Sequence, residues 1–84
     1  MPYEPVFTDE FENELKWRKK KDRAMYNRIM KKIAEILENP DMYKHLGNVL
    51  KDKRRAHVGH FVISYKVEQN KVILDGFEHH DNAY

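Results

Sequence analysis

Two short segments of this chain concentrate the side chains that are able to do chemistry. Residues 77–84 (FEHHDNAY) place two histidines, an aspartate and a tyrosine together, and residues 51–60 (KDKRRAHVGH) supply four cations and two further histidines. Cations stabilise negative charge on a phosphate, and imidazole moves protons at neutral pH. The chain has no cysteine, which excludes thiolate chemistry. This inventory suits the binding or the cleavage of a phosphodiester chain.

The length and composition predict one small domain. A chain of 84 residues builds a single domain, residues 1–84, with a modest hydrophobic core. The N-terminus is polar and acidic, and no apolar run approaches the roughly 20 residues that are needed to cross a bilayer. We therefore expect a soluble cytoplasmic protein that has no secretory leader and does not contact the membrane.

Charge is strongly segregated along the chain, although the formal net charge is only +2. Residues 1–15 carry five acids and no base, whereas residues 16–32 carry nine Lys or Arg and one Asp. Residues 43–57 add five bases and one Asp. Two basic blocks favour a surface that attracts phosphates or an acidic partner, although each block could also be a solvated face.

Apolar spacing predicts two helices in the first half of the chain. Thr8 or Asp9 can cap the first helix, which closes at the basic tract 18–21, and Asp22 can cap the second. The second helix ends before Pro40, because the residue that precedes a proline avoids the helical region. The predicted apolar stripes are Phe11 and Leu15 in the first helix and Met25, Ile29, Ile33 and Ile36 in the second.

Residues 53–58 alternate between two faces of a predicted strand. Ala56 and Val58 would point toward the core, which leaves Lys53, Arg55 and His57 on the opposite face. Alternatively, this basic row is an exposed, solvated strand face without a function, because strand faces opposite a core are usually polar.

The remaining strands complete an α+β pattern. Residues 3–8 predict a short edge strand that Pro5 weakens, and Gly59 permits a tight bend after the basic strand. Residues 61–67 and 72–77 form two strands around a hairpin turn at 68–71. The predicted order is β-α-α-β-β-β, with two N-terminal helices packed on one face of a small antiparallel sheet, as in microbial ribonucleases.

Residues 54–63 (RRAHVGHFVI) and 77–84 resemble two motifs of the RelE/ParE superfamily of toxin proteins. In that family a basic strand runs into Val-Gly and an aromatic strand, and a His-(Arg or His)-x-x-x-Tyr segment lies near the C-terminus. The resemblance covers essentially the whole chain, because a hairpin separates the motifs and two helices precede them. It is closer to the RelE branch than to the ParE branch.

The resemblance implies a toxin of a type II toxin–antitoxin system. RelE-like toxins are ribosome-dependent endoribonucleases that cleave mRNA in the A site by attack of the 2′-hydroxyl, with no cofactor. A paired RelB-type antitoxin silences them, and the toxin–antitoxin complex often represses its own operon. The expected partners are therefore a cognate antitoxin, the ribosome and mRNA, with operator DNA bound only by the complex.

The resemblance also assigns residues to roles. It places Lys53 and Arg55 at the strand cations that hold the mRNA backbone, and Tyr84 at the tyrosine that helps the 2′-hydroxyl attack. The predicted catalytic residues are Arg55, His79, His80 and Tyr84. The predicted phosphate-binding residues are Lys51, Lys53, Arg54, Arg55 and His57. The predicted ribosome contacts are Lys19, Lys20 and Lys21, because a dense lysine tract binds RNA phosphates.

The proton-transfer roles stay open within this set. His79 and His80 are neighbours, so on an extended chain they face opposite ways and one of them reaches a given site. Nearby cations would lower the pKa of the Tyr84 phenol and make it a base, although its ring could instead anchor the chain or stack on a nucleobase. Arg54 points coreward by strict alternation, and it would then support Asp81 or leave through an irregular strand end.

The chain departs from the RelE pattern at Val62 and at His80, where relatives often carry arginine. These departures leave open two other functions. One is a non-cleaving protein that acts as corepressor with its antitoxin, and the other is a ParE-like toxin directed at DNA gyrase. Pairs such as His79 with Asp81 match no zinc-ligand spacing, so we expect no metal site.

Overall fold

A computed structural model of the chain describes the backbone of residues 3–42, 45–46 and 50–79 and the side chains of residues 3–41 and 53–79. The described residues form five strands, two helices and one 3₁₀ turn. In chain order these are β1 (Glu4–Phe7), α1 (Asp9–Lys21), α2 (Arg23–Glu38), the 3₁₀ turn (Pro40–Met42), β2 (His45–Leu46), β3 (Leu50–Val58), β4 (Phe61–Glu68) and β5 (Lys71–His79).

Side-chain caps fix where both helices begin. The Phe11 backbone N–H donates to Thr8 Oγ1 at 3.3 Å at the start of α1, and the Met25 N–H donates to Asp22 Oδ1 at 3.2 Å at the start of α2. The helix α2 ends at Glu38, ahead of Pro40, as the sequence predicts. No helix among the described residues is long and apolar enough to span a membrane.

The sheet has the strand order β1-β5-β4-β3-β2. The α+β class is confirmed, and the predicted elements occur in the predicted order with one further strand, β2. The strand β1 lies at the edge as expected from Pro5. The expectation of a fully antiparallel sheet is wrong, because β1 pairs in parallel with β5. The intervening helices make this possible, since a parallel pair needs a long crossover that returns the chain to the same end.

The edge opposite β1 also differs from the expectation. The sequence pattern predicts no strand between the second helix and residue 53, but His45 and Leu46 form the short strand β2 against β3, which begins at Leu50. Two residues are too few to show an alternating pattern.

The hydrophobic core lies between the two helices and one face of the sheet. The buried core residues are Phe11 of α1, Ile29, Ile33 and Ile36 of α2, Ala56 and Val58 of β3, Ile63 and Tyr65 of β4, and Val72 and Leu74 of β5. The fully buried Tyr65 donates its hydroxyl to the Pro40 carbonyl at 2.6 Å, which ties the end of α2 to the sheet centre. The helices therefore cover one face and leave the other face, here called the open face, to the basic row.

A one-residue bulge interrupts β5. Ser64 lies opposite Gly76 and Tyr65 lies opposite Leu74, so Asp75 has no partner in the register of β4. The extra residue reverses the alternation, because Leu74 faces the core before the bulge and Phe77, opposite Ile63, faces it afterwards. The bulge therefore decides on which face the last residues of β5 lie.

Candidate functional site

The basic row of β3 lies on the open face. Ala56 and Val58 are buried in the core, so alternation along the strand puts Lys53, Arg55 and His57 on the other side. Lys53 and Arg55 are half-buried and His57 is exposed. A strand rise of about 3.3 Å per residue separates Lys53 from Arg55 by about 7 Å, a spacing that suits contact with one phosphate and its flanking oxygens.

A carboxylate that the sequence interpretation missed lies beside this row. Asp75 forms an ion pair with the Lys53 ammonium and accepts a hydrogen bond from Ser64 Oγ at 3.0 Å. The Asp75 side chain is 16% exposed and that of Lys53 is 32% exposed. The structure therefore adds Asp75 and Ser64 to the candidate site, with Asp75 balancing and orienting the Lys53 charge.

Gly76 makes this arrangement possible. A Cβ at Gly76 would lie 2.4 Å from Ser64 Oγ, so any larger residue would displace the hydroxyl that holds Asp75. The Asp75-Gly76 pair inside a predicted strand is the signal that could have revealed the bulge, since Gly within a strand often marks one.

Arg54 does not share a surface with Lys53 and Arg55. Its guanidinium lies on the core side, where Nη2 is 3.5 Å from Asp41 Oδ1 and Nη1 donates to the Asp41 carbonyl at 3.5 Å. The structure therefore does not bring Arg54 together with Lys53 and Arg55, because alternation directs its side chain toward the 3₁₀ turn, and its role in phosphate binding stays a prediction. Its anticipated partner Asp81 lies outside the described residues.

His79 also lies away from the basic row. Its register partner is Phe61, and its ring meets the Phe61 ring edge-on at 5.4 Å and lies 6.3 Å from the His60 ring. Arg55 lies opposite Ser64, three residues along β4 from Phe61 and on the other face. The structure therefore does not bring His79 together with Arg55, because the bulge at Asp75 turns His79 to the helix side.

Three other predicted site residues cannot be placed in the same way. His80 and Tyr84 lie outside the described residues. Lys51 belongs to β3, but its side chain also lies outside the described part of the chain. Their roles remain predictions.

Val62 occupies the position where relatives of the RelE type often carry arginine. It lies in β4 between His57 and Glu78 and is only 3% exposed. Val62 is therefore buried on this face and supplies no cation there.

The basic tract of α1 divides into two parts. Arg18 forms ion pairs with Glu14 at 2.8 Å and with Asp22 at 3.2 Å, and its guanidinium lies 4.9 Å from the Phe61 ring centroid and 5.5 Å from that of Phe77. It thereby joins α1 to β4 and β5. Its neighbours along the helix are solvent-exposed, namely the predicted ribosome contacts Lys19, Lys20 and Lys21.

A shallow depression of about 540 Å³ runs along α1 and is separate from the basic row. Its lining residues are Glu10, Asn13, Glu14, Trp17 and Arg18. Trp17 is 52% exposed, and the Arg18 guanidinium lies 4.8 Å from the centroid of its ring.

Comparison with known proteins identifies the family. A family model for the ParE toxin of type II toxin–antitoxin systems matches residues 6–84. A Methanocaldococcus jannaschii protein designated RelE4 is 41% identical over 68 residues, which cover 77% of this chain and 72% of that protein. A Methanosarcina mazei protein of undescribed function is 37% identical over 68 residues, covering 77% of this chain and 79% of that protein.

Solved structures share the fold. The YoeB/ParE toxin from Agrobacterium tumefaciens has a TM-score of 0.81 at 13% identity, covering 92% of this chain and 98% of that one. The YoeB dimer from Staphylococcus aureus has a TM-score of 0.82 at 15% identity, covering 95% and 99%. The YoeB–YefM complex from the same organism has a TM-score of 0.80 at 15% identity, covering 95% and 99%. With the family match over residues 6–84, these findings make the chain a member of the RelE/ParE superfamily of type II toxin–antitoxin toxins.

Proposed function

We propose that this toxin is a metal-independent endoribonuclease that cleaves mRNA in the ribosomal A site and so inhibits translation. The observation that carries the proposal is the pair of cations on the open face, Lys53 and Arg55, with Lys53 oriented by Asp75. Two cations on one accessible strand face suit the backbone of RNA. The M. jannaschii relative designated RelE4 supports the choice of the RelE activity.

The proposed reaction is a transesterification within the RNA. The 2′-oxygen loses its proton and forms a bond to the neighbouring phosphorus, while the bond from phosphorus to the 5′-oxygen breaks and that oxygen takes up a proton. The products are a 2′,3′-cyclic phosphate and a free 5′-hydroxyl. Lys53 and Arg55 would stabilise the negative charge that grows on the phosphate oxygens.

Proton transfer is assigned to residues carried over from the family pattern. Tyr84 would take the 2′ proton as the general base, since a cation beside a phenol favours the phenolate. His80 would protonate the leaving 5′-oxygen, because His79 lies on the helix side of β5. The division of labour follows the requirement for one base and one acid in this chemistry.

An antitoxin partner belongs to the same proposal. The YoeB–YefM complex is a fold neighbour that was solved with a second protein. We expect a RelB-type antitoxin that folds on binding and covers Lys53 and Arg55, because an acidic amphipathic segment complements a basic face. The toxin would bind operator DNA only within that complex.

Primer extension on mRNA programmed into ribosomes tests the activity directly. Wild-type toxin should produce A-site cleavage, and Arg55→Ala should lower the cleavage rate by about 100-fold or more, as removal of one charge-stabilising donor does in other enzymes. Lys71→Ala is the matched control, because this exposed lysine lies at the far end of β5. Intact mRNA with wild-type toxin and translating ribosomes would refute the proposal.

A gyrase-directed toxin is the second candidate, because the matching family model is that of ParE. Double-strand breaks in DNA with normal translation would indicate that activity. Neither effect, together with operator binding by the toxin–antitoxin complex, would indicate a non-cleaving corepressor.

A further inference from the structure

A second basic site lies where α2 meets the turn between β3 and β4. It is a partly open pocket of about 250 Å³, here called the α2 pocket. Its lining residues are Arg28, Lys31, Lys32 and Glu35 of α2, His57 and Val58 of β3, and Gly59 of the turn. The volume is below the roughly 300–1,000 Å³ of sites that hold whole small molecules, so the pocket suits a single charged group.

The charge of the α2 pocket is positive. Lys32 forms an ion pair with Glu35 at 3.5 Å, which balances the one carboxylate among the lining residues. Arg28 and Lys31 then supply two further cations, and both side chains belong to exposed residues. The pocket therefore attracts an anion.

The Arg28 guanidinium lies close to Gly59. The backbone of Gly59 has φ = +62°, a left-handed conformation that glycine adopts without strain. A Cβ at this residue would lie 3.2 Å from Arg28 Nη1 and 3.3 Å from Nη2, so the guanidinium packs directly over the glycine. Two features therefore favour glycine at position 59, namely the left-handed backbone of the turn and the close approach of Arg28.

The α2 pocket lies on the helix side of β3 and adjoins the basic row at His57. His57 lines the pocket and also belongs to the row that begins with Lys53 and Arg55. The distance along β3 from Arg55 to Val58 is about 10 Å at 3.3 Å per residue. Among the described residues, β2 pairs with β3 no further than Arg54. No described strand therefore lies along the outer edge of β3 from Arg55 to Val58, around which an RNA strand would pass from the row to the pocket.

We propose that the α2 pocket binds a backbone phosphate of the same RNA strand that lies on Lys53 and Arg55. The planar guanidinium of Arg28 presents paired N–H groups that match two phosphate oxygens, and Lys31 adds a point charge. That this RNA is the substrate rests on the proposed function. The binding of a phosphate in the α2 pocket does not depend on cleavage, and the experiment uses that difference.

The probe is a fluorescein-labelled, 12-nucleotide single-stranded RNA with 2′-O-methyl groups throughout, which removes the attacking hydroxyl. Fluorescence anisotropy measures its affinity for the toxin over a range of NaCl concentrations. Arg28→Ala and Lys31→Ala should each weaken binding by about three- to tenfold. Each should also reduce the slope of log K against log [NaCl] by about 0.7, the value for one lost phosphate contact on a single strand.

Two further variants distinguish phosphate binding in the α2 pocket from an effect of the protein's total charge. Lys71→Ala removes one positive charge at the far end of β5 and should leave the slope unchanged. Arg28→Lys keeps the charge but loses the fork of N–H donors, so it should retain the slope and lose part of the affinity. Circular dichroism establishes that each variant is folded.

Several results would overturn the proposal. These are wild-type slope and affinity in the Arg28→Ala/Lys31→Ala double variant, an equal loss in Lys71→Ala, or no measurable binding by wild type at low salt. Arg28-dependent binding of a 12-residue peptide of alternating Glu and Val, without Arg28-dependent binding of RNA, would also overturn it and indicate an acidic strand as the ligand.

The two proposals fail separately. If ribosome-bound mRNA stays intact but the slope of log K against log [NaCl] depends on Arg28, the nuclease proposal is refuted and the phosphate site in the α2 pocket stands. Cleavage that depends on Arg55, with a slope that does not depend on Arg28, refutes the α2 pocket alone.

Discussion

Lys53 of β3 and Asp75 of β5 form an ion pair across the intervening strand β4. Ser64 of β4 donates its hydroxyl to the same carboxylate at 3.0 Å, so one side chain from each of three strands meets on the open face. A phosphate that approaches Lys53 therefore meets a cation whose charge Asp75 already balances. Under the proposed function, this relationship makes Asp75 a determinant of RNA affinity.

Asp75→Asn should strengthen RNA binding. The substitution removes the negative charge beside Lys53, while the amide oxygen can still accept the Ser64 hydrogen bond. A pair this exposed contributes up to about 1 kcal/mol, so affinity for a non-cleavable RNA should rise by up to about fivefold in an anisotropy titration. Asp41→Asn, which removes the partner of Arg54 on the other face, is the matched control and should leave affinity unchanged. Weaker binding by Asp75→Asn would show that Asp75 orients Lys53 more than it competes with RNA.

Gly76→Ala should destabilise the fold by about 1–3 kcal/mol in urea unfolding, because the new methyl would lie 2.4 Å from Ser64 Oγ. The clash is with the hydroxyl, since Ser64 Cβ would be 3.8 Å from the new methyl, an ordinary contact distance. The double variant Ser64→Ala/Gly76→Ala should therefore regain part of the lost stability. An equal loss in the single and double variants would contradict this account.

His79→Ala should keep the cleavage rate within about threefold of wild type in primer extension, whereas Arg55→Ala loses it. His79 packs on Phe61 on the helix side, and Arg55 lies on the open face. His80→Ala is the paired variant and should lower the cleavage rate by about 10²–10⁴-fold, the contribution of an acid catalyst to a reaction rate. A loss of that size in His79→Ala would place this histidine in the reaction and contradict the geometry.

Arg18→Met should lower the free energy of unfolding by about 1–2 kcal/mol. The methionine keeps an apolar stem but loses the stacking of the guanidinium on Phe61 and Phe77 and its two ion pairs. Lys19→Ala, one residue along the same helix, is the control and should change stability by less than about 0.5 kcal/mol. Equal stability of wild type and Arg18→Met in thermal unfolding would show that Arg18 does not join α1 to the sheet.

Local signals predicted much of this fold. The caps Thr8 and Asp22, the stop before Pro40 and the bend at Gly59 all depend on backbone chemistry that a few neighbouring residues determine. The inward direction of Ala56 and Val58 followed from strict alternation, and so did the outward position of the basic row.

Long-range features were harder to predict. The parallel pairing of β1 with β5 depends on where the helices return the chain, which no local pattern records. The bulge at Asp75 moved His79 to the helix side, because one extra residue reverses the alternation of everything after it. The partnership of Arg54 with Asp41 likewise required the position of the 3₁₀ turn.

The parallel pairing of β1 with β5 has a consequence for biosynthesis. Residues 4–7 pair with residues 71–74, so β1 is translated before the other described strands but pairs with the last of them. Hydrogen bonds to β1 cannot form in a nascent chain until residues 71–74 have emerged from the exit tunnel. A polypeptide still under synthesis therefore lacks the complete sheet, and the toxin reaches its folded state only after residues 71–74 have left the ribosome.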